Sequence, residues 1–412
     1  AIASGPLVSR AQAQDSLMPY TMLRSLQFVQ DSVALGDHSA AEMQRFMLET
    51  IDSRLKDAPA SIFSDPRNVD AALVYAMSGG NPATLELLVV RDVDGNFDTR
   101  LADLLRKYLN GKGSLISKSL ASMIPEYRGT RIGAYLALIS GNITLAQDPG
   151  AALGFYDIAR LEAPGTIIEE AALRRSLAIA VEDGSAVHGL AYAQRYARRF
   201  LHSPYASQFA DLLVALSVKR YETIKASGID DTLSLLDPER QRTVYLRMAR
   251  MAAIAGKDDL ARLAAGRARV LSEGLPVGPS LQANLYESLA SITTPDVVSA
   301  IAAISSIPDE HLSAGDRALR EAAKIIALEV VKPPVMESST QARADTNAAS
   351  AEINSASAEE SQASPVPPTA GVWRSPKPVV EEDNQELRLL VTTGRSKLDE
   401  IDDLLKKEGT SP

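Results

Sequence analysis

The chain has 412 residues, 45% of them hydrophobic, which is ample for a sizeable core. Its formal charge of −9 runs against general nucleic-acid binding, which needs cations to neutralise phosphates. It holds no cysteine, which excludes thiol catalysis, thiolate metal sites and disulfides, and its four histidines (His38, His188, His202, His311) stand without metal-ligand spacing.

The chain begins at Ala1, as an exported protein would after removal of a signal segment, and as a trimmed chain would too. "AQAQ" at 11–14 resembles a small-residue cleavage site, although no apolar stretch precedes it. Residues 1–17 are read as an N-terminal extension. No run approaches the roughly 20 apolar residues needed to span a bilayer.

From residue 18 to 331 the period is helical. "TMLRSLQFVQDSVALG" places Met22, Leu23, Leu26, Val29 and Val33 on one side. Helix starts share one grammar: Asp65-Pro66, Asn81-Pro82, Asp148-Pro149, Ser203-Pro204, Asp237-Pro238 and Thr294-Pro295. The first residue can cap orphan N–H groups, and proline suits the first helical position. Ser39…Glu42 and Thr166…Glu169 fit a capping box. Gly36, Gly184 and Gly256 mark helix ends. Short connections between amphipathic helices predict antiparallel helical hairpins.

Residues 91–105, "RDVDGNFDTRLADLL", pose a question. Asp92, Asp94, Asn96 and Asp103 fall where a calcium loop beginning at Asp92 places ligands. Phe97, however, takes the position that needs glycine, Gly95 comes too early, and Arg100 stands among the ligands. The other reading is a turn, with Asn96 or Asp98 capping a helix that carries Leu101, Leu104, Leu105 and Leu109. The faults favour the turn. "NGKGS" at 110–114 has glycine and lysine but no strand before it, and reads as a loop.

Ala152, Tyr156, Ala159 and Pro164 match the second helix of a tetratricopeptide-type unit, where small residues let helices approach closely. Leu136, Ile139 and Ile143 fit the first helix. Tyr245, Met248, Ala249, Ala252, Ala261, Ala265 and Ala268 give a related pattern, and Leu177, Ala178 and Ala197 a poorer one. The fold class expected is therefore all-α: an irregular tetratricopeptide-like solenoid of αα-hairpins over 18–331, with a plain helical bundle as the alternative. Within it, Tyr192, Arg195, Arg198 and Arg199 offer a binding face, since Tyr and Arg are favoured at interfaces. The competing reading is a solvated face whose arginine stems cover apolar surface.

Composition changes after Val331. Residues 332–383 are rich in Pro, Ser, Ala and Glu, keep no hydrophobic face, and are expected to be a disordered linker. Trp373 within it is either a docking residue or a chance occurrence. Residues 384–408 regain helical period, with Leu387, Leu390, Val391, Leu398, Ile401, Leu404 and Leu405 as an apolar stripe. So short a helix is marginal alone and is expected to pack on the body, a second copy or a partner.

No nucleophile elbow, phosphate-binding loop or dinucleotide fingerprint occurs. No catalytic, cofactor or metal residues are assigned. Four stretches carry a resemblance: "RSLQFVQDSVALGDHSAAEMQR", "YAMSGGNPATLELLV", "LEAPGTIIEEAALRRS" and "YARRFLHSPYASQFADLL". Together they resemble the MotC family of rhizobial flagellar motor proteins over most of 18–331. The resemblance implies a periplasmic, non-enzymatic protein needed for flagellar rotation. It would bind the periplasmic part of the stator protein MotB and influence how proton flow is coupled to rotation. It supplies no site residues. Two other classes stand beside it: a cell-wall-associated helical accessory domain or enzyme, and a periplasmic assembly chaperone of the stator.

Overall fold

A computed structural model describes residues 18–331, apart from 183–185, 276 and 293. These residues form seventeen α-helices joined by short turns and three 3₁₀ segments, with no strand among them. The first six helices are α1 (Pro19–Ala34), α2 (Ala40–Asp57), α3 (Pro66–Met77), α4 (Pro82–Arg91), α5 (Thr99–Leu109) and α6 (Ser117–Tyr127). The next six are α7 (Gly133–Thr144), α8 (Pro149–Glu162), α9 (Ile167–Glu182), α10 (Ala186–Arg199), α11 (Ala206–Lys219) and α12 (Ala226–Leu233). The last five are α13 (Pro238–Ile254), α14 (Asp258–Val270), α15 (Val277–Leu289), α16 (Val297–Ser305) and α17 (Ala314–Val331).

Four of the proline pairs cap as their chemistry predicts. The side chains of Asp65, Asn81, Asp148 and Asp237 accept from the N–H groups of Arg67, Ala83, Ala151 and Arg240, with proline in the first turn. The hydroxyl pairs behave differently. Ser203 Oγ accepts from Tyr205 N at 3.2 Å and Thr294 Oγ1 from Asp296 N at 3.4 Å, so each closes a turn before its helix. Ser39 makes no cap bond to its helix; Asp37 accepts from both its N–H and its hydroxyl. Thr166 does cap, accepting from Ile168 N at 3.2 Å, while Glu169 Oε2 reaches back to Gly165 N at 2.6 Å. Gly36 and Gly256 end their helices with φ of 112° and 66°, where a side chain would be strained. Gly184 lies outside the described residues.

The helices pack mainly on the next one and the next but one in the chain, the order of a stacked repeat. Small residues set the closest crossings. Ala152, Tyr156 and Ala159 of α8 are fully buried against α7, where Leu136 and Ile139 are buried too. In α13 and α14 the same holds for Met248, Ala249, Ala252, Ala261, Ala265 and Ala268. Leu177 and Ala197 are buried, and Ala178 is half-buried.

Polar links recur one repeat apart. Asn142–Arg175 joins residues 33 apart, Asp157–Tyr192 and Glu222–Lys257 35, Asp211–Arg247 36, and Glu182–Lys219 and Asp230–Arg267 37. Tetratricopeptide units repeat at about 34 residues. The fold is thus an irregular tetratricopeptide-like solenoid.

Two cores divide it. One runs from Leu23 to Ile179 and the other from Leu173 to Ala327. α9 is the wall between them: Ile168, Ala171, Ala172 and Ile179 face the first, and Leu173, Leu177 and Val181 the second. α9 also meets α1, which breaks the nearest-neighbour order. There Asp31 Oδ1 accepts from Ile167 N at 2.9 Å, across 136 residues of chain. The tail residues Trp373, Leu387, Leu390, Val391, Leu398, Ile401 and Leu405 lie outside the described residues.

Candidate functional site

The last turn of α8, the turn at 163–166, the start of α9 and the end of α10 line an open cavity of about 330 Å³. Arg160, Leu161, Pro164, Glu169, Arg195, Arg198 and Arg199 line it. Three of the four residues read as a face in the sequence are therefore brought together here. The fourth, Tyr192, is turned inward. It is 7% exposed, its hydroxyl approaches Asp157 Oδ1 at 3.4 Å, and the Arg160 guanidinium lies 5.7 Å from its ring centre. Burial and the Asp157 charge push its phenol up from the ordinary range.

Along α10, Tyr192, Ala193, Tyr196 and Ala197 are buried and Arg195, Arg198 and Arg199 are exposed. Tyr192 and Arg199, seven residues apart, stand almost in line at the border of the two faces, so the packing of Tyr192 on Asp157 and Arg160 makes the split there. Arg160 and Leu161 were not singled out from the sequence, and Pro164 and Glu169 only as the end of a repeat unit and a capping-box residue. One signal points to them: Arg160 stands one repeat before Arg195, in the register of the Asp157–Tyr192 link.

Each charge in the cavity has an observable partner or lacks one. Arg160 Nε binds Asp157 Oδ1 at 2.6 Å. Arg199 Nη1 binds Glu169 Oε2 at 2.8 Å, the same oxygen that accepts from Gly165 N. Arg195 and Arg198 are exposed and reach no carboxylate among the described residues. At the start of α9, Asp31 and Thr166 take the N–H groups of Ile167 and Ile168, and Glu169 reaches back to that of Gly165. The full charges left for a ligand in the cavity are guanidinium groups, which suit carboxylates.

Beneath α9 is a second polar cluster that is structural. Glu170 is fully buried, bound to Arg174 Nε at 3.0 Å and to the Tyr196 hydroxyl at 2.9 Å. The Arg174 guanidinium also sits 4.3 Å from the centre of the Tyr205 ring. Tyr196 in turn stacks on Phe209 at 4.3 Å. This arrangement fixes the inner side of α10, and so the direction of its arginines.

The loop at 91–105 has a local purpose. Asp92 turns both oxygens onto its own loop, accepting from Asn96 N at 2.9 Å and Phe97 N at 2.8 Å. Phe97 is buried, its ring centre 5.4 Å from that of Phe63. Asp98 caps α5 through Arg100 N and also accepts from the Tyr127 hydroxyl at 2.8 Å. Asp103 pairs with Arg106. Asp92 and Asp103, two of the carboxylates that could have met one cation, are spent on separate protein donors. A groove of about 450 Å³ between α15 and α16, lined by Asn284, Ser288, Ser291 and Ser299 among others, holds no such concentration of charge. Among the described residues no helix is long and apolar enough to cross a membrane.

A family model described as chemotaxis protein MotC matches residues 1–410. The chain belongs to the MotC family. The chemotaxis protein MotC of Rhizobium meliloti (strain 1021) is 53% identical over 414 residues, covering 98% of this chain and 95% of that protein. No solved structure matches the chain. Membership of MotC extends the likeness beyond the quoted stretches, through the tail as well.

Proposed function

We propose that this MotC-family chain is a non-enzymatic interaction protein of the periplasm, required for flagellar rotation. Its partner is the periplasmic part of MotB, and its binding influences how proton flow is coupled to rotation. Family membership supports the setting in chemotaxis. The observation that carries the reading to a surface is the arginine cavity, where two exposed guanidiniums stand without a carboxylate among the described residues in a chain of net charge −9. Stacked helical repeats present side chains from successive units as one surface, which suits a protein partner. Arg195, Arg198 and Arg199 form the contact face, with Tyr192 supporting it from behind.

Co-purification of the full chain with the periplasmic part of MotB, across a range of salt, tests the partner. Motility of a deletion strain tests the requirement. Binding, together with loss of swimming, is expected. Absence of binding at every salt concentration, with normal swimming, contradicts the proposal. Turnover of peptidoglycan by the purified protein would instead favour the cell-wall reading.

A further inference from the structure

We propose that the arginine cavity takes an acidic peptide segment, with a carboxylate held between Arg195 and Arg198 and an apolar side chain laid on Leu161 and Pro164. The inference rests on reading this face as the partner-binding surface and adds the chemistry of what is bound there.

The first argument is charge. Four guanidiniums and one carboxylate line the cavity. Asp157 holds Arg160 from outside the lining, and Glu169 is committed to Arg199 and to the N–H of Gly165. What remains for a ligand is the pair Arg195 and Arg198. Cations also answer the negative poles of helix C-termini, and that accounts for Arg160, Arg198 and Arg199, each in a last turn. Arg195 lies outside the last turn of α10, so the helix pole does not explain it. A planar guanidinium pairs a carboxylate through two parallel hydrogen bonds.

The second argument is the apolar part of the lining. Leu161 is 65% exposed, and Pro164 beside it is exposed as well. An inorganic anion gains nothing from them. A peptide that carries leucine or valine beside its acidic residues uses both halves of the cavity, and about 330 Å³ accommodates a short segment of side chains.

Fluorescence anisotropy on the full chain tests this. The probe is a fluorescein-labelled synthetic peptide that alternates glutamate and leucine; the control is its glutamine analogue. Both are titrated with the natural protein and with the double variant Arg195→Glu/Arg198→Glu. Both arginines are exposed, so circular dichroism of the variant should be unchanged. Binding of the glutamate peptide is expected to weaken with salt. The glutamine analogue and the double variant should each bind about tenfold more weakly or worse. Leu161→Asp should weaken binding as well. Equal affinity for the two peptides overturns the proposal, as does an unchanged affinity in the double variant. So does binding of phosphatidylglycerol vesicles, or of inorganic phosphate, that is lost in the double variant while the peptide fails to bind. MotB binding that survives the charge reversal removes the cavity and leaves the stator reading standing. Peptide binding without MotB binding removes the stator and leaves the cavity.

Discussion

Individual buried charges set which way the arginine face points. Glu170 has no exposure and is held by Arg174 and the Tyr196 hydroxyl. Removing one partner of a buried ion pair leaves the other uncompensated, at about 3–5 kcal/mol. Glu170→Ala is therefore expected to lower the urea-derived stability by about that much, whereas Arg195→Ala on the exposed side should stay within about 0.5 kcal/mol. At Asp98 the effect is on pH. Hydrogen bonds from Arg100, Tyr127 and backbone N–H groups outweigh burial and hold its carboxyl at about 2. A depressed pKa gives stability that is present above the unfolded value and lost as pH falls through the folded one. Stability should fall between the ordinary value near 3.8 and about 2. Asp98→Asn should flatten part of that fall in acid titration followed by circular dichroism.

Helices in this chain are specified by their ends and by where small residues allow contact. Gly141 of α7 faces Tyr156 of α8, and a Cβ there would lie 2.5 Å from the ring of a residue with no exposure. Gly141→Ala should cost about 1–3 kcal/mol by overpacking, read from urea denaturation. This level of organisation was largely legible in the sequence. Asp-Pro and Asn-Pro pairs located four starts, because a short carboxylate or amide before proline caps strongly whatever surrounds it. Ser203-Pro204 and Thr294-Pro295 marked their starts too early, because each hydroxyl instead closes a short turn ahead of the helix. At the site, helical period alone shows that Arg195, Arg198 and Arg199 share a side. It does not separate Tyr192 from them, since Tyr192 and Arg199, seven residues apart, stand almost in line on the helix; Tyr192 is turned in by its packing on Asp157 and Arg160. Arg160, Leu161 and Pro164 come from the preceding hairpin. Local pattern marks Pro164 as the end of a repeat unit but does not reach Arg160 or Leu161; only the repeat spacing does.

For the molecule as a whole, α9 and its bond to α1 matter most. α9 belongs to both cores, and Asp31 holds its first turn from 136 residues away. Composition and periodicity carry no record of so distant a pairing. Burial pushes the Asp31 carboxyl up despite the bond from Ile167 N. Asp31→Ala loses this cap and should cost about 1 kcal/mol, while Asp31→Asn keeps an acceptor and should cost much less. Faster hydrogen exchange at the start of α9 in the alanine variant alone would confirm that the link is local to that turn. The same helix carries Glu169 and Glu170, which hold Arg199 and, through Tyr196, the inner side of α10. Core, seam and candidate site thus meet on one element.

The central claim is that this MotC-family protein engages its partner through that arginine face. Isothermal titration of the full chain with the periplasmic part of MotB, in parallel with Arg195→Glu/Arg198→Glu at low and high salt, addresses it directly. The account predicts binding by the natural chain that weakens with salt, and loss of about tenfold or more in the double variant. Equal binding by both proteins at both salt concentrations would contradict it.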